Sequence, residues 1–158
     1  MVTAAVIRGR IRMWEYVNGR WSGAEAARMY AALRRALVRA FPGHLGAFTV
    51  IEDNDPTGYK SRAGIGAKAA ARIVADSLPK RSPDLNVLDY SLWHAINVRM
   101  REQERAFPAR YVESAADFKR RLRRVAMRLP RALVERAVGS MTRRCNAIVA
   151  ARGGLIVE

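Results

Sequence analysis

A single cysteine, Cys145, stands in a chain of 158 residues, which excludes an internal disulfide. Only His44 and His94 could join it, so a zinc cluster of Cys and His ligands is excluded as well. A reducing compartment fits so thiol-poor a chain. Long apolar runs are also missing. The N-terminal one is closed by Arg8 and is too short for a signal-peptide core. Nothing approaches the roughly 18 residues that suggest a membrane span, and no membrane partner is expected. Acids are scarce: 14 Asp and Glu face 29 Lys and Arg, a formal net charge of +15. Such an excess is usually matched by a polyanion, nucleic acid foremost. A positive surface kept for solubility is the plainer alternative. What is present is a folded composition, 50% apolar and 27% charged, of a length that suits one domain with a core.

Two β-branched runs divided by Arg8-Gly9-Arg10 predict a hairpin at the N-terminus. From Ala24 to Phe41, apolar residues fall at Ala26, Met29, Tyr30, Leu33, Leu37 and Val38, a helical spacing that Pro42-Gly43 ends. "LGAFTVIE" predicts a buried strand. The Ala-rich stretch from Gly64 to Asp76 predicts a second helix. A third runs from near Asn86 to about Arg105, with Leu88, Leu92, Trp93, Ile96 and Met100 on its apolar face. Ser114 and Asp117 form a capping box for a fourth. Pro130 separates it from a last helix carrying Val134, Val138, Met141, Cys145 and Ile148. On that stripe Cys145 reads as core. His94 reads as a packed or surface residue rather than a ligand. The order predicts an α/β core, residues 1–106, followed by a basic helical extension, residues 107–158.

Chemistry in α/β sheets collects at strand ends. The predicted strand ends in "EDNDP", three carboxylates within four residues in a chain short of acids. Asp55-Pro56-Thr57-Gly58 is a good type I turn and accounts for Asp55; Glu52 and Asp53 have no such reason. A second stretch, "SPDLNVLDYSLW", puts Asp89 on the first turn of a helix, four residues before Trp93. A carboxylate there gains about 0.3–1 kcal/mol from the helix dipole, the structural alternative to a functional role.

Together the two stretches resemble the signature of the mariner-superfamily transposases, DDE enzymes with an RNase H-like fold. In that family an Asp-Asn pair closes the fourth strand and carries the second catalytic carboxylate. The third lies in a helix start of the form SPDLNP-[IL]-[DE]-x-x-W. The resemblance places Asp53-Asn54 on the first motif and Asp89 on the second, with 35 residues between Asp53 and Asp89. It implies catalytic and metal-binding roles for Asp53 and Asp89, with Mg²⁺ or Mn²⁺ as the ion and DNA strand cleavage and transfer as the activity. In-line displacement at a phosphodiester is clamped by two ions about 3.5–4 Å apart. Asp53 would bridge them, Asp89 would hold one, and Glu52 or Asp55 would tune the charge from behind.

One part of the pattern is missing. The family's triad begins with an Asp on the first strand, and before Glu52 this sequence has only Glu15 and Glu25. The expectation is therefore an RNase H-like core lacking its first strand, a fragment or remnant of a transposase catalytic domain. Its exposed strand edge makes a homo-oligomer a further expectation. The alternatives are a non-catalytic basic DNA- or RNA-binding protein and an RNase H-like nuclease with a rearranged site. The location implied is nuclear in a eukaryote and cytoplasmic otherwise.

From Arg99 to Arg152 there are 15 Lys or Arg against five acids. "FKRRLRRVAMR" turns Phe118, Leu122 and Val125 inward and Lys119, Arg120, Arg121, Arg123, Arg124 and Arg128 outward, a face suited to a phosphate backbone of DNA or RNA. A solvated face is the plainer reading. No aromatic interleaving suggests base stacking, so binding is expected to be largely sequence-independent.

Overall fold

The computed structural model describes residues 1–154 of the chain. Its packing forms two compact units, the first of Met1–Arg8 and Arg12–Ser82, the second of Gly9–Ile11 and the chain from Pro83 onward.

At the N-terminus, β1 (Val2–Ile7) and β2 (Arg10–Tyr16) form the predicted hairpin. Arg8 at φ 51° and Gly9 at φ 71° supply the two left-handed residues of a type I′ turn. Helix α1 (Gly23–Ala40) is capped by the Ser22 hydroxyl, which accepts from the Glu25 amide at 3.4 Å. It buries Ala26, Met29, Tyr30, Leu33, Ala36, Leu37 and Ala40. This stripe forms one core with Ile7, Met13, Phe48 and Ile73. After α1 come β3 (Phe48–Glu52), α2 (Arg62–Ala70) and β4 (Ile73–Ser77). Strands β3 and β4 pair in parallel, Phe48 opposite Ile73 and Glu52 opposite Ser77.

Strand β4 corrects the sequence reading, which continues the second helix to Asp76. The helix ends at Ala70, and Arg72 turns left-handed at φ 51°. The chain is thereby redirected, so that the β-branched pair Ile73-Val74 starts a strand.

In the second unit, a 3₁₀ turn (Pro83–Leu85) and a π-helical turn (Leu88–Leu92) lead into α3 (Trp93–Glu104). Helices α4 (Ala115–Met127), α5 (Arg131–Gly139) and α6 (Met141–Ala150) follow. Leu92, Ile96, Met100, Val125, Ala126, Leu129, Val134 and Ala137 are buried here. The helices set apart in sequence as a basic extension thus share a unit with α3. The single last helix of the sequence reading is two, divided at Ser140, and this resets the phase. Arg144 is buried and Cys145, expected in the core, is exposed. No described helix is long and apolar enough to cross a membrane.

Candidate active site and basic face

At the carboxyl end of β3 the three crowded acids have three different fates. Glu52 is the last strand residue, and its side chain is 7% exposed. It takes an ion pair from Lys68 of α2 at 2.7 Å and a hydrogen bond from the Tyr30 hydroxyl of α1. Burial first, and then that bond into a carboxylate, push the Tyr30 hydroxyl well above its ordinary pKa. Asp55 builds the turn. One of its oxygens accepts from the Trp21 indole at 2.7 Å and from the amides of Gly58 at 2.7 Å and Tyr59 at 3.4 Å. Partial burial raises its pKa, but these donors outweigh burial and hold it below the ordinary carboxylate range. Gly58 is required here because a Cβ would stand 2.3 Å from the Trp21 ring. Asp53 is left as the exposed acid of the three, one residue beyond the strand. Beside it, Asn54 accepts from the Lys60 ammonium. Tyr59, against Trp21 and Tyr30, is pushed up by burial and then by the charges of Asp53, Glu52 and Asp55.

Asp89 is exposed on the π-helical turn of the second unit. The Trp93 amide reaches back five residues to the Leu88 carbonyl, and the Trp93 indole donates to Asp89 Oδ1 at 3.1 Å. Single π turns inside helices frequently mark functional sites. The turn is held from behind. Tyr90 donates to the Ala137 carbonyl at 2.5 Å, and the guanidinium of buried Arg144 lies 3.9 Å from the Tyr90 ring centre. Arg144 also donates to the Asp84 carbonyl at 3.4 Å. The sequence reading missed Lys68, Tyr30, Trp21, Tyr90 and Arg144. Of these only Trp21, next to the N-cap Ser22, sits near a recognisable signal.

The two acids upstream of Glu52 are engaged elsewhere. Arg28 pairs with Glu15 at 3.2 Å and with Glu25 at 2.7 Å, and Glu25 also accepts from the Asn18 amide at 2.9 Å. Among the described residues no three His, Cys, Asp or Glu side chains gather where they could hold a metal ion. Asp53 and Asp89 are nevertheless exposed oxygen donors, the kind a hard divalent cation takes along with water and phosphate. Each fits such an ion in kind.

On α4, Lys119, Arg120, Arg123, Arg124 and Arg128 are exposed as expected, and Arg121 is not. It is 7% exposed. Its guanidinium donates to both oxygens of Glu113 at 2.8 and 2.7 Å, to Glu104 at 2.8 Å and to the Met100 carbonyl at 3.0 Å. The hydrogen bond to Glu113 comes first among the causes that push its pKa above the ordinary value. The helical wheel turned Arg121 outward because its partners lie off α4, on α3 and in the loop before the cap. Phe118, expected inward, is 42% exposed.

No family model matches the sequence, and no curated protein does. Solved structures do. The crystal structure of the catalytic domain of Mos1 mariner transposase matches with a TM-score of 0.82 at 18% identity, over 99% of this chain and 75% of that one. The same catalytic domain with raltegravir and Mn matches with a TM-score of 0.78 at 19% identity, over 99% and 76%. The Mos1 strand transfer complex matches with a TM-score of 0.73 at 19% identity, covering 95% of this chain and 42% of that one. The chain therefore has the RNase H-like fold of the mariner transposase catalytic domain, as the motif resemblance implies. At this identity the likeness is one of fold.

Proposed function

We propose that this chain is part of a DDE transposase catalytic domain that acts on DNA with Mg²⁺ or Mn²⁺. The observation carrying the reading is the pair of exposed carboxylates, Asp53 at a strand end and Asp89 on a π turn, at both motif positions of a chain with this fold. Solved Mos1 catalytic domains carry Mn or Mg, and Mos1 complexes include a paired-end complex with the left transposon end and a strand transfer complex. A divalent ion in such a site polarises the scissile phosphodiester and activates the attacking oxygen. The chain's own contribution is to present charge. Lys68 neutralises Glu52, the Asp55 turn fixes the exit from β3, and Asp53 is exposed between them. Trp93 orients the Asp89 carboxylate. Lys119, Arg120, Arg123, Arg124 and Arg128 along α4 contact phosphates, and residues 107–158 act as the DNA-binding extension. A homo-oligomer working on two DNA ends, nuclear in a eukaryote, completes the reading.

The second reading, a non-catalytic basic DNA-binding protein, is favoured by the engagement of Glu15 and Glu25 with Arg28, which leaves two candidate ligands. Calorimetric titration with Mn²⁺ separates the two. The expected result is binding by wild type and loss in Asp53→Asn and in Asp89→Asn. Flat traces for all three proteins, with DNA binding intact, move the chain to the second reading.

A further inference from the structure

The sequence shows no aromatic interleaving in its basic third, but folding assembles one. The loop between α3 and α4 carries Phe107, Arg110, Tyr111 and Val112, and Phe118 follows on the first turn of α4. Phe107 and Tyr111 meet edge to face with centroids 4.7 Å apart. The Arg121 guanidinium lies 5.0 Å from the Phe107 ring centre and 5.6 Å from that of Phe118. Glu113, Glu104 and the Met100 carbonyl already occupy that guanidinium, so it serves as the post on which the rings are mounted. The outer side is open: Tyr111 is 49% exposed, Phe118 42% and Val112 88%.

From this geometry we infer that the ring cluster at the head of α4 is a binding platform for the unpaired bases of single-stranded DNA. Charge selects the occupant. Residues 105–128 hold eight Lys and Arg against two acids, and both acids are engaged, Glu113 by Arg121 and Asp117 by Arg120. Exposed Arg110 precedes Tyr111 in the chain and exposed Lys119 follows Phe118, so the rings lie in a cationic stretch. An apolar ring in a cationic rim suits a base with its phosphate: the ring takes the π face and the rim takes the charge. Bases stacked within a duplex offer no such face, so the platform favours unpaired nucleotides, as at a processed strand end. The inference rests on the reading of α4 as a DNA-facing helix and narrows what that face takes.

The test is fluorescence anisotropy with a labelled thymine homopolymer and a mixed-sequence duplex of equal length. Wild type, Tyr111→Ala, Phe118→Ala and Tyr111→Trp are compared, with circular dichroism as the folding control. Each Ala substitution is expected to weaken single-strand binding by about tenfold, the scale of one lost base stack. Duplex binding should stay within about twofold, since backbone contacts do not involve the rings. Tyr111→Trp should restore the single-strand affinity. Two results would overturn the platform: equal losses on both ligands, or none on either. Self-association of wild type that Tyr111→Ala abolishes, with single-strand binding unchanged, would instead assign the patch to protein contact and overturn it too. Wild type that binds neither ligand would sink the DNA-facing reading of α4 along with it.

Discussion

The two candidate ligands are presented by opposite means. Asp53 stands at the end of a parallel strand whose neighbouring acids are silenced one by one, Glu52 by Lys68 and Tyr30, Asp55 by Trp21 and backbone amides. Asp89 has no acid within four residues of it in the sequence. Its place is set by an extra residue in a helical turn, with Trp93 before it and Tyr90 pinned behind. The strand end relies on charge pairing and the helix on packing. Their responses to mutation should therefore differ in kind.

Lys68→Met should have the largest effect. It strands Glu52, 7% exposed, with only the Tyr30 hydroxyl of these two partners still donating to it, and losing one member of a buried pair costs about 3 kcal/mol. Denaturant unfolding measures this, and Lys68→Met/Glu52→Gln should recover most of it. If the double variant is no better, charge pairing is not what holds the strand end. Arg144→Met comes next. A desolvated cation–π contact is worth about 2 kcal/mol, and its loss should shift the Trp93 indole resonance while leaving that of Trp21 in place. A Trp93 resonance that does not move would break the proposed link between α6 and the π turn.

The third effect depends on pH. Asp55 is depressed in the folded chain, so the unfolded chain binds more protons between the folded and unfolded pKa values. Its contribution is fully present above about pH 4, the ordinary Asp value, and is lost as pH falls through the folded value. Acid unfolding curves of Trp21→Phe should be flatter in that window than those of wild type. The smallest effect belongs to the basic face. Arg124→Ala should leave stability nearly unchanged and reduce the salt slope of DNA binding by about 0.9.

Much of the first unit was legible in the sequence. The hairpin, α1 and the position of β3 follow from β-branched and apolar patterns, although β3, expected to be buried, leaves Thr49 and Ile51 exposed. Strand β4 was not, because the Ala-rich run continues past the helix end and the left-handed Arg72 that redirects the chain has no sequence signature. The motif residues Asp53 and Asp89 could be named from spacing, whereas their supports could not. Lys68, Tyr30 and Arg144 come from distant segments, and nothing local distinguishes them from surface residues. Arg121 was misplaced for the same reason: a helical wheel shows which face a residue shares and not whether Glu104 and Glu113 will be waiting on it.

The π turn has a consequence for insertions and deletions. Deleting Ser91, between Asp89 and Trp93, would let the backbone close into ordinary i to i−4 bonding. It would also rotate everything upstream by about 100° around the helix axis, carrying Asp89 away from the Trp93 indole N–H. Chain length across the three positions between Asp89 and Trp93 is therefore constrained alongside the identities of Tyr90 and Leu92, which anchor the turn.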